Sequence, residues 1–418
     1  MTSINRRRFL KAAGGAGALS AAWPTAGSAE PVPARATTAL QSPATAEIAV
    51  VGAGAFGGWT ALYLREMGHS VTLIDQYGPG NSRATSGGET RQIRAVYGER
   101  EIYTKWVLDA FDRWQARETE WGKKLFFRTG QISLAPDWTH ELIETRKVFD
   151  RLAVKYEVIP SGDLAKRFPQ MRTADFGAAM YTPGTGVLKA REGCLAVAQA
   201  FEKKGGRSIT ARVELGARTG TTLRDIALST GQRVAAQTFV FACGPWLTKV
   251  FPSVMAKKLE TPRRAVFFYG TPPGDERFTM PNFPTWSLPG AYGFPSIEGK
   301  GFKIAPTFDR VLVDPDTQEH TLTSEEIRLG RAFITKWFPD LARQPLVDAR
   351  ICQREDSVDE HFIVDRHPEL SNVWLVGGGS GHGYKHGIVL GDYVAHRVTG
   401  QDKQPELAAT FKLKSQTF

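Results

Sequence analysis

Five residues, Glu47-Ile48-Ala49-Val50-Val51, open directly onto Gly52-Ala53-Gly54-Ala55-Phe56-Gly57-Gly58. The run has a continuous apolar end, as expected of a strand buried in a parallel sheet. Thr60-Ala61-Leu62-Tyr63-Leu64-Arg65 then reads as a helix, and Ser70-Val71-Thr72-Leu73-Ile74 as a second strand ending at Asp75. Gly52 permits a tight turn, Gly54 lets the backbone approach a pyrophosphate, and Gly57 lets helix and strand come close. The helix N-terminus faces the phosphates, and Asp75, 23 residues beyond Gly52, is spaced to accept hydrogen bonds from a ribose hydroxyl. A lone GxGxxG also serves as a plain glycine turn. Between two strands, with an acid at this spacing, it predicts a Rossmann-type α/β domain that binds a dinucleotide.

The fingerprint alone does not separate FAD from NAD. Thr238-Phe239-Val240-Phe241-Ala242-Cys243-Gly244 is another strand ending in small residues. Val373-Trp374-Leu375-Val376 leads into Gly377-Gly378-Gly379-Ser380-Gly381-His382-Gly383, with a helical stretch from Ile388 to Val398. A second glycine-rich loop before a helix supplies further backbone N–H groups, suited to the flavin end of a long cofactor. FAD is favoured.

Composition excludes several classes. The 418 residues, 42% hydrophobic and 23% charged, suffice for two or three domains. Three Cys rule out a disulfide scaffold. No run of roughly 18 apolar residues occurs, so stable membrane insertion is not expected. The net charge of +10 falls once residues 1–29 are set aside, since Arg6, Arg7, Arg8 and Lys11 leave 49 basic against 43 acidic residues. No basic stripe interleaved with aromatics remains, so nucleic acid is not an expected partner.

Arg6-Arg7-Arg8-Phe9-Leu10-Lys11 precedes an Ala/Gly/Leu stretch from Ala12 to Ala22 and the small residues Gly27-Ser28-Ala29. This order of charged, apolar and small residues is that of an export signal, of the twin-arginine type, over residues 1–29; a disordered basic tail is the alternative. The expectation is a folded protein passed through the twin-arginine translocon to the periplasm or beyond. Residues 30–45, rich in Pro, Ala and Thr, read as a linker.

Four ordered blocks carry a resemblance. They are Gly52 to Gly58 with Asp75; Gly88-Glu89-Thr90-Arg91-Gln92-Ile93-Arg94 with Tyr97-Gly98-Glu99; Tyr292-Gly293-Phe294-Pro295 with Gly301-Phe302-Lys303-Ile304; and Cys352 through Asp359-Glu360-His361-Phe362-Ile363-Val364-Asp365 to Ser380-Gly381-His382-Gly383-Tyr384-Lys385. Over nearly all of residues 46–400 the chain resembles the amine-oxidising flavoproteins of the sarcosine-oxidase type, within the D-amino-acid-oxidase-like superfamily.

The resemblance implies a role for each block. Gly52, Gly54, Gly57, Asp75, Thr90, Arg91, Val213, Gly379, Gly381, Gly383 and Lys385 would contact FAD, and Cys352 would bond covalently to the flavin. A buried hydrophobic Cys is the alternative there, and it is the reading for Cys194 and Cys243. Lys303 would supply positive charge where oxygen is reduced, with a solvated edge-strand Lys as the alternative. Arg91 would face the flavin ring, and Tyr292 would wall the pocket; with Lys303 they form the expected catalytic set. Arg94 and Lys385 would clamp a substrate carboxylate, Arg offering a planar fork and Lys a point charge. No metal site is expected, because the pairs His361/His367 and His382/His386 lack a supporting acid in a zinc arrangement.

The chain departs from the family at pocket positions. Ser86-Gly87 stands where the family has a pair of His, Thr307 where it has a pocket His, and Arg354 where it has a Tyr. Thr307 and Arg354 therefore join the expected substrate-binding residues, although Glu355 and Asp356 could instead pair with Arg354. Sarcosine does not follow as the substrate; a larger amine, or one with a second acidic group, fits at least as well.

The expected architecture is α/β: a Rossmann-type FAD domain from residues 46–130, 186–258 and 345–402, and a substrate domain from 131–185 and 259–344, built on a mostly antiparallel sheet with helices. Thr271 to Pro295 reads as a loop-rich wall or lid, and residues 403–418 as a tail. The expected function is oxidation of a secondary amine or amino acid, with O2 reduced to hydrogen peroxide, by a monomer. Two alternatives stand beside it: a dehydrogenase passing electrons to another acceptor, and a flavin-bearing carrier without amine turnover.

Overall fold

The computed structural model describes residues 44–418; the expected export signal and most of the linker lie outside the described residues. The first strand, β1 (Ala44–Val51), begins two residues inside the expected linker, with Ala44 and Thr45 already in register with Val234 and Ala235. β1 lies at the centre of an eight-stranded sheet. It pairs in parallel with β2 (Val71–Asp75) on one side and with Arg233–Phe241 on the other. Arg207–Thr210 extends the sheet beyond β2, and Val373–Gly377 pairs in parallel with Phe239 to Phe241. The helix α1 (Ala55–Glu66) packs against the helices Ala190–Lys203 and Gly387–Val398 on one face. β1 and β2 are buried almost throughout, which is why their sequences are apolar runs rather than alternations.

A second eight-stranded sheet runs in the order Leu346–Gln353, Arg263–Tyr269, Phe302–Pro306, Ala291–Phe294, Thr285–Leu288, Gln131–Ala135, Ala178–Thr182, Glu157–Val158. All its pairs are antiparallel except Thr285–Leu288 with Gln131–Ala135. One face carries Phe267, Trp286, Phe302 and Ile304 into a core closed by the helix Ser324–Trp337. Thr323 and Glu326 start that helix with a reciprocal capping box. The other face presents Val266, Phe268, Ala305 and Cys352, because successive strand residues point to opposite sides. The molecule is thus α/β, with a Rossmann-type sheet and a second α+β domain.

Two expectations change. The stretch 345–402, assigned to the FAD domain, begins with Leu346–Gln353, which hydrogen-bonds to Arg263–Tyr269 in the second sheet and brings Cys352 with it. The stretch from Thr271 to Pro295, expected as a loop-rich wall or lid, is irregular only over its first half. It holds two sheet strands, Thr285–Leu288 and Ala291–Phe294, joined at Pro289-Gly290 with Gly290 at φ +74°. Trp286 and Phe294 are fully buried, so packing decides the conformation of a segment whose Pro/Gly content suggested a loop.

A small three-stranded sheet completes the frame. β3 (Thr90–Ile93) pairs with Gly186–Lys189, which also pairs with Phe126–Phe127. Among the described residues no helix is long and apolar enough to cross a membrane.

Candidate active site

A single cavity of about 1490 Å³ runs from the β1–α1 turn to the inner face of the second sheet. Pockets for small substrates are usually ~300–1,000 Å³, so this one has room for a dinucleotide as well.

At one end the wall is backbone. Gly52 has φ +105°, and a Cβ there would lie 2.2 Å from the Ala242 carbonyl oxygen. A Cβ on Gly57 would lie 1.9 Å from the Gly52 carbonyl oxygen, so Gly57 sits beneath the turn, clasping helix to strand, and does not line the cavity. Gly54 does line it, and a Cβ there would meet only Ser86 Oγ, at 3.1 Å. α1 begins after Gly54 with no side-chain cap and no acid in its first turn. Its first N–H groups are therefore free for an anionic ligand. Asp75 lines the same end, its two carboxylate oxygens accepting the Ala53 and Tyr77 N–H groups at 2.8 and 2.9 Å. Burial raises its pKa, against those backbone donors. Val213, Gly379, Gly381 and Gly383 line the cavity further along. These residues fit a dinucleotide such as FAD.

At the other end the wall is made of side chains. Arg91 projects from β3, its guanidinium donating to the carbonyls of Thr90 (3.0 Å) and Thr85 (2.6 Å). Cys352 is buried on the cavity wall. Burial alone would raise its pKa, but Arg91, Arg350 and Lys303 outweigh that and hold the thiol below its ordinary value. Burial instead pushes the Cys194 thiol up to about 11 and that of Cys243 higher still. Only the Cys352 environment favours a reactive thiolate.

Arg94 and Lys385 meet over one ring: the guanidinium carbon lies 4.7 Å and the ammonium 5.3 Å from the Tyr97 centroid. Lys385 is 3% exposed, and its Nζ donates to the His382 carbonyl at 2.9 Å; Arg94 donates to the carbonyl of Val96. Among the described residues neither finds a carboxylate. Burial, and then the charge of Arg94, drives the Lys385 pKa well below its ordinary value. Two cations held together in a cavity without a counter-ion form a site for an anion.

The remaining expected residues separate. Tyr292 lines the cavity from Ala291–Phe294, and Thr307 from the end of Phe302–Pro306. Arg354 lines it too, but its Nη2 pairs with Asp356 Oδ2 at 2.5 Å, so the open alternative resolves toward the ion pair. Thr90 and Lys303 lie off the main cavity. Lys303 is 2% exposed, with its Nζ on the Thr90 carbonyl (2.8 Å) and Oγ1 (3.0 Å) and 4.4 Å from the Phe294 ring centroid. It lies behind β3 rather than on the cavity surface, because the carbonyl and hydroxyl of Thr90 solvate an otherwise buried charge. Burial and the nearby Arg91 charge drive its pKa well down.

Two further residues of the cavity wall were not among the expected site residues. Arg264, in register with Cys352, lines the cavity and donates to Thr307 Oγ1 at 2.5 Å. Strand alternation from Val266 would have placed it on this face. Glu355 is 5% exposed on the cavity wall, with Oε1 accepting the Gly379 N–H at 3.3 Å and Oε2 unpartnered. Burial raises its pKa to about 8. No short-range pattern marks it. His361, His382 and His386 pack together around Tyr103 and Phe362, His386 Nε2 lying 2.8 Å from Tyr97 Oη and His361 Nδ1 2.8 Å from Tyr103 Oη, whereas His367 packs apart from them on Phe251.

Residues 47–397 match the family model described as FAD dependent oxidoreductase, DAO. The chain belongs to this family. The chain is similar to a monomeric sarcosine oxidase from Bacillus sp. (strain NS-129), 28% identical over 363 residues, spanning 84% of this chain and 92% of that one. An N-methyl-L-tryptophan oxidase from Yersinia pseudotuberculosis serotype O:1b (strain IP 31758) is 26% identical over 365 residues, 85% of this chain and 95% of its own. Among solved structures, glycine oxidase from Geobacillus kaustophilus aligns with a TM-score of 0.75 at 19% identity, over 90% of this chain and all of its own. The DAO family fold accounts for both sheets, and the protein is an FAD-dependent oxidoreductase.

Proposed function

We propose that the protein is an exported FAD-dependent oxidase of a secondary amine that carries a carboxylate, an N-methyl or related amino acid, acting as a monomer with its flavin bonded to Cys352. The observation that carries this reading is that Arg94 and the buried Lys385 share one ring, without a counter-ion among the described residues, in the cavity that also holds the glycine cradle. The names of the sarcosine and N-methyl-L-tryptophan oxidases support the amine.

FAD, held by the turn at Gly52 and Gly54, Asp75 and the loop Gly379 to Gly383, would supply a two-electron acceptor for the C–H beside the nitrogen, with O2 as the final oxidant and hydrogen peroxide as its product. The chain's own residues bind and orient. Arg94 and Lys385 hold the carboxylate, and Tyr292 closes the wall. Positive charge from Arg91, Arg94, Arg264 and Lys385 disfavours a protonated amine, so the substrate is held as the free base with its lone pair available. Cys352, kept below its ordinary pKa, is poised for covalent attachment, which prevents cofactor loss after export.

One observation favours a second reading, electron transfer to an acceptor other than O2: Lys303, the expected oxygen-side charge, lies behind β3 and off the cavity surface. Peroxide formation with an N-methyl amino acid separates the two. A denaturing gel viewed under ultraviolet light tests the rest. Flavin fluorescence should stay with the wild-type band in the periplasmic fraction and vanish in Cys352→Ala. A wild-type band without fluorescence would refute covalent attachment, and fluorescence confined to the cytoplasm would refute export.

A further inference from the structure

The wall opposite the glycine cradle carries more cationic charge than one carboxylate requires. Arg264 reaches it from Arg263–Tyr269, donating to Thr307 Oγ1 at 2.5 Å and to the Pro306 carbonyl at 3.3 Å. Among the described residues no carboxylate pairs with it. Arg354 spends Nη2 on Asp356, while its Nε is buried with no partner. Asp356 is itself shared with Arg310, at 3.8 Å, and Arg310 pairs with Glu260. Asp356 and Glu260 thus serve Arg354 and Arg310, and Arg264 is left with neither. Arg264 and Arg354 line the cavity, and neither carboxylate does, so the surplus charge faces the space where a ligand would lie. Burial, with Arg354 next, holds the Arg264 pKa below its ordinary value, the mark of a cation lacking its counter-ion. Tyr292 borders the same wall. Arg354 and Thr307 are also among the positions at which the sequence departs from the resembling family.

We infer that Arg264 and Arg354 form a second anion subsite, and that the substrate is an amine with two carboxylates: one on Arg94 and Lys385, the other on Arg264 and Arg354. An N-alkyl acidic amino acid has this chemistry. The inference rests on the amine-oxidase reading and narrows its substrate class. A guanidinium also discriminates well, because a neutral isostere leaves its buried donors unpaired.

Isosteric pairs test it: racemic N-methylglutamate against N-methylglutamine, and N-methylaspartate against N-methylasparagine, assayed for flavin reduction and turnover with the holoenzyme. The wild type should favour an acid over its amide by about tenfold or more in kcat/KM, mainly through KM. Arg264→Gln should bring that ratio toward one, and Arg264→Lys should restore part of it. Calorimetry gives a readout without turnover: the non-oxidisable thioether 2-(methylthio)succinate should bind the wild type at least about tenfold more tightly than 2-(methylthio)propanoate. Equal use of acid and amide by the wild type, or an acid preference that survives Arg264→Gln, would overturn the subsite while leaving amine oxidation in place. Oxidation of no N-methyl amino acid at all would overturn both.

Discussion

The two ends of the cavity are built on opposite plans. The cradle end is backbone: a left-handed Gly52, an uncapped helix start and a carboxylate fixed by two N–H groups, all within 24 residues of chain. The substrate end is side chain: Arg91 from the small sheet, Arg264 and Cys352 from neighbouring strands of the second sheet, and Lys385 from the 3-10 turn Tyr384–His386 that leads into the last long helix. Backbone geometry tolerates almost no substitution but is shared by any enzyme needing the same cofactor. Side-chain geometry is free to change and so encodes the substrate. The contrast implies that variants at the first end abolish cofactor binding, whereas those at the second redirect or weaken catalysis.

The largest effect expected is at Gly57. Gly57→Val places carbon atoms where the Gly52 carbonyl already stands, so the protein should purify with less than about a tenth of the wild-type flavin, read from its visible absorbance against its protein absorbance. Normal flavin content would break the contrast at its firmest point. A smaller effect is expected at Glu355, which lies between the two ends. Between the carboxyl's ordinary 4.5 and its folded-state value of about 8, the folded chain keeps a proton that the unfolded chain has lost. Stability contributed by the neutral form is fully present below the lower value, falls as pH rises through this window, and levels off above it. The melting temperature of Glu355→Gln should therefore fall less than that of wild type from about pH 5 to pH 8, by roughly 5 °C. Parallel profiles would show that Glu355 is not held protonated.

The same contrast explains what was legible in the sequence. The cradle could be read because its parts are close along the chain and each glycine answers a local steric demand. Cys352, Arg94 and Lys385 were legible only through a family resemblance, and the structure brings all three to the cavity. Arg264 was hidden because its meaning depends on which strand it pairs with, a fact set by the order of the second sheet. Glu355 looked like an ion-pair partner for Arg354, yet the pairing goes to Asp356 while Glu355 turns to the Gly379 N–H. Lys303 was placed on the right strand, but the local need to solvate its ammonium turned it onto Thr90. In the Thr271 to Pro295 stretch composition misled only over the second half, where a buried Trp286 outweighs the Pro and Gly around it, and Ser287 to Tyr292 do wall the cavity.

The central claim is that Arg94 and Lys385 recognise a carboxylate beside an oxidisable amine. Its most direct test is an anaerobic titration of the flavin absorbance with N-methyl amino acids and with the same compounds carrying a carboxamide in place of the α-carboxylate. The wild type should bleach with the acids and respond to the carboxamides only at concentrations about tenfold to a hundredfold higher, and Lys385→Met should lose most of that discrimination. Equal bleaching by acid and carboxamide in the wild type, or no bleaching by either, would contradict the account.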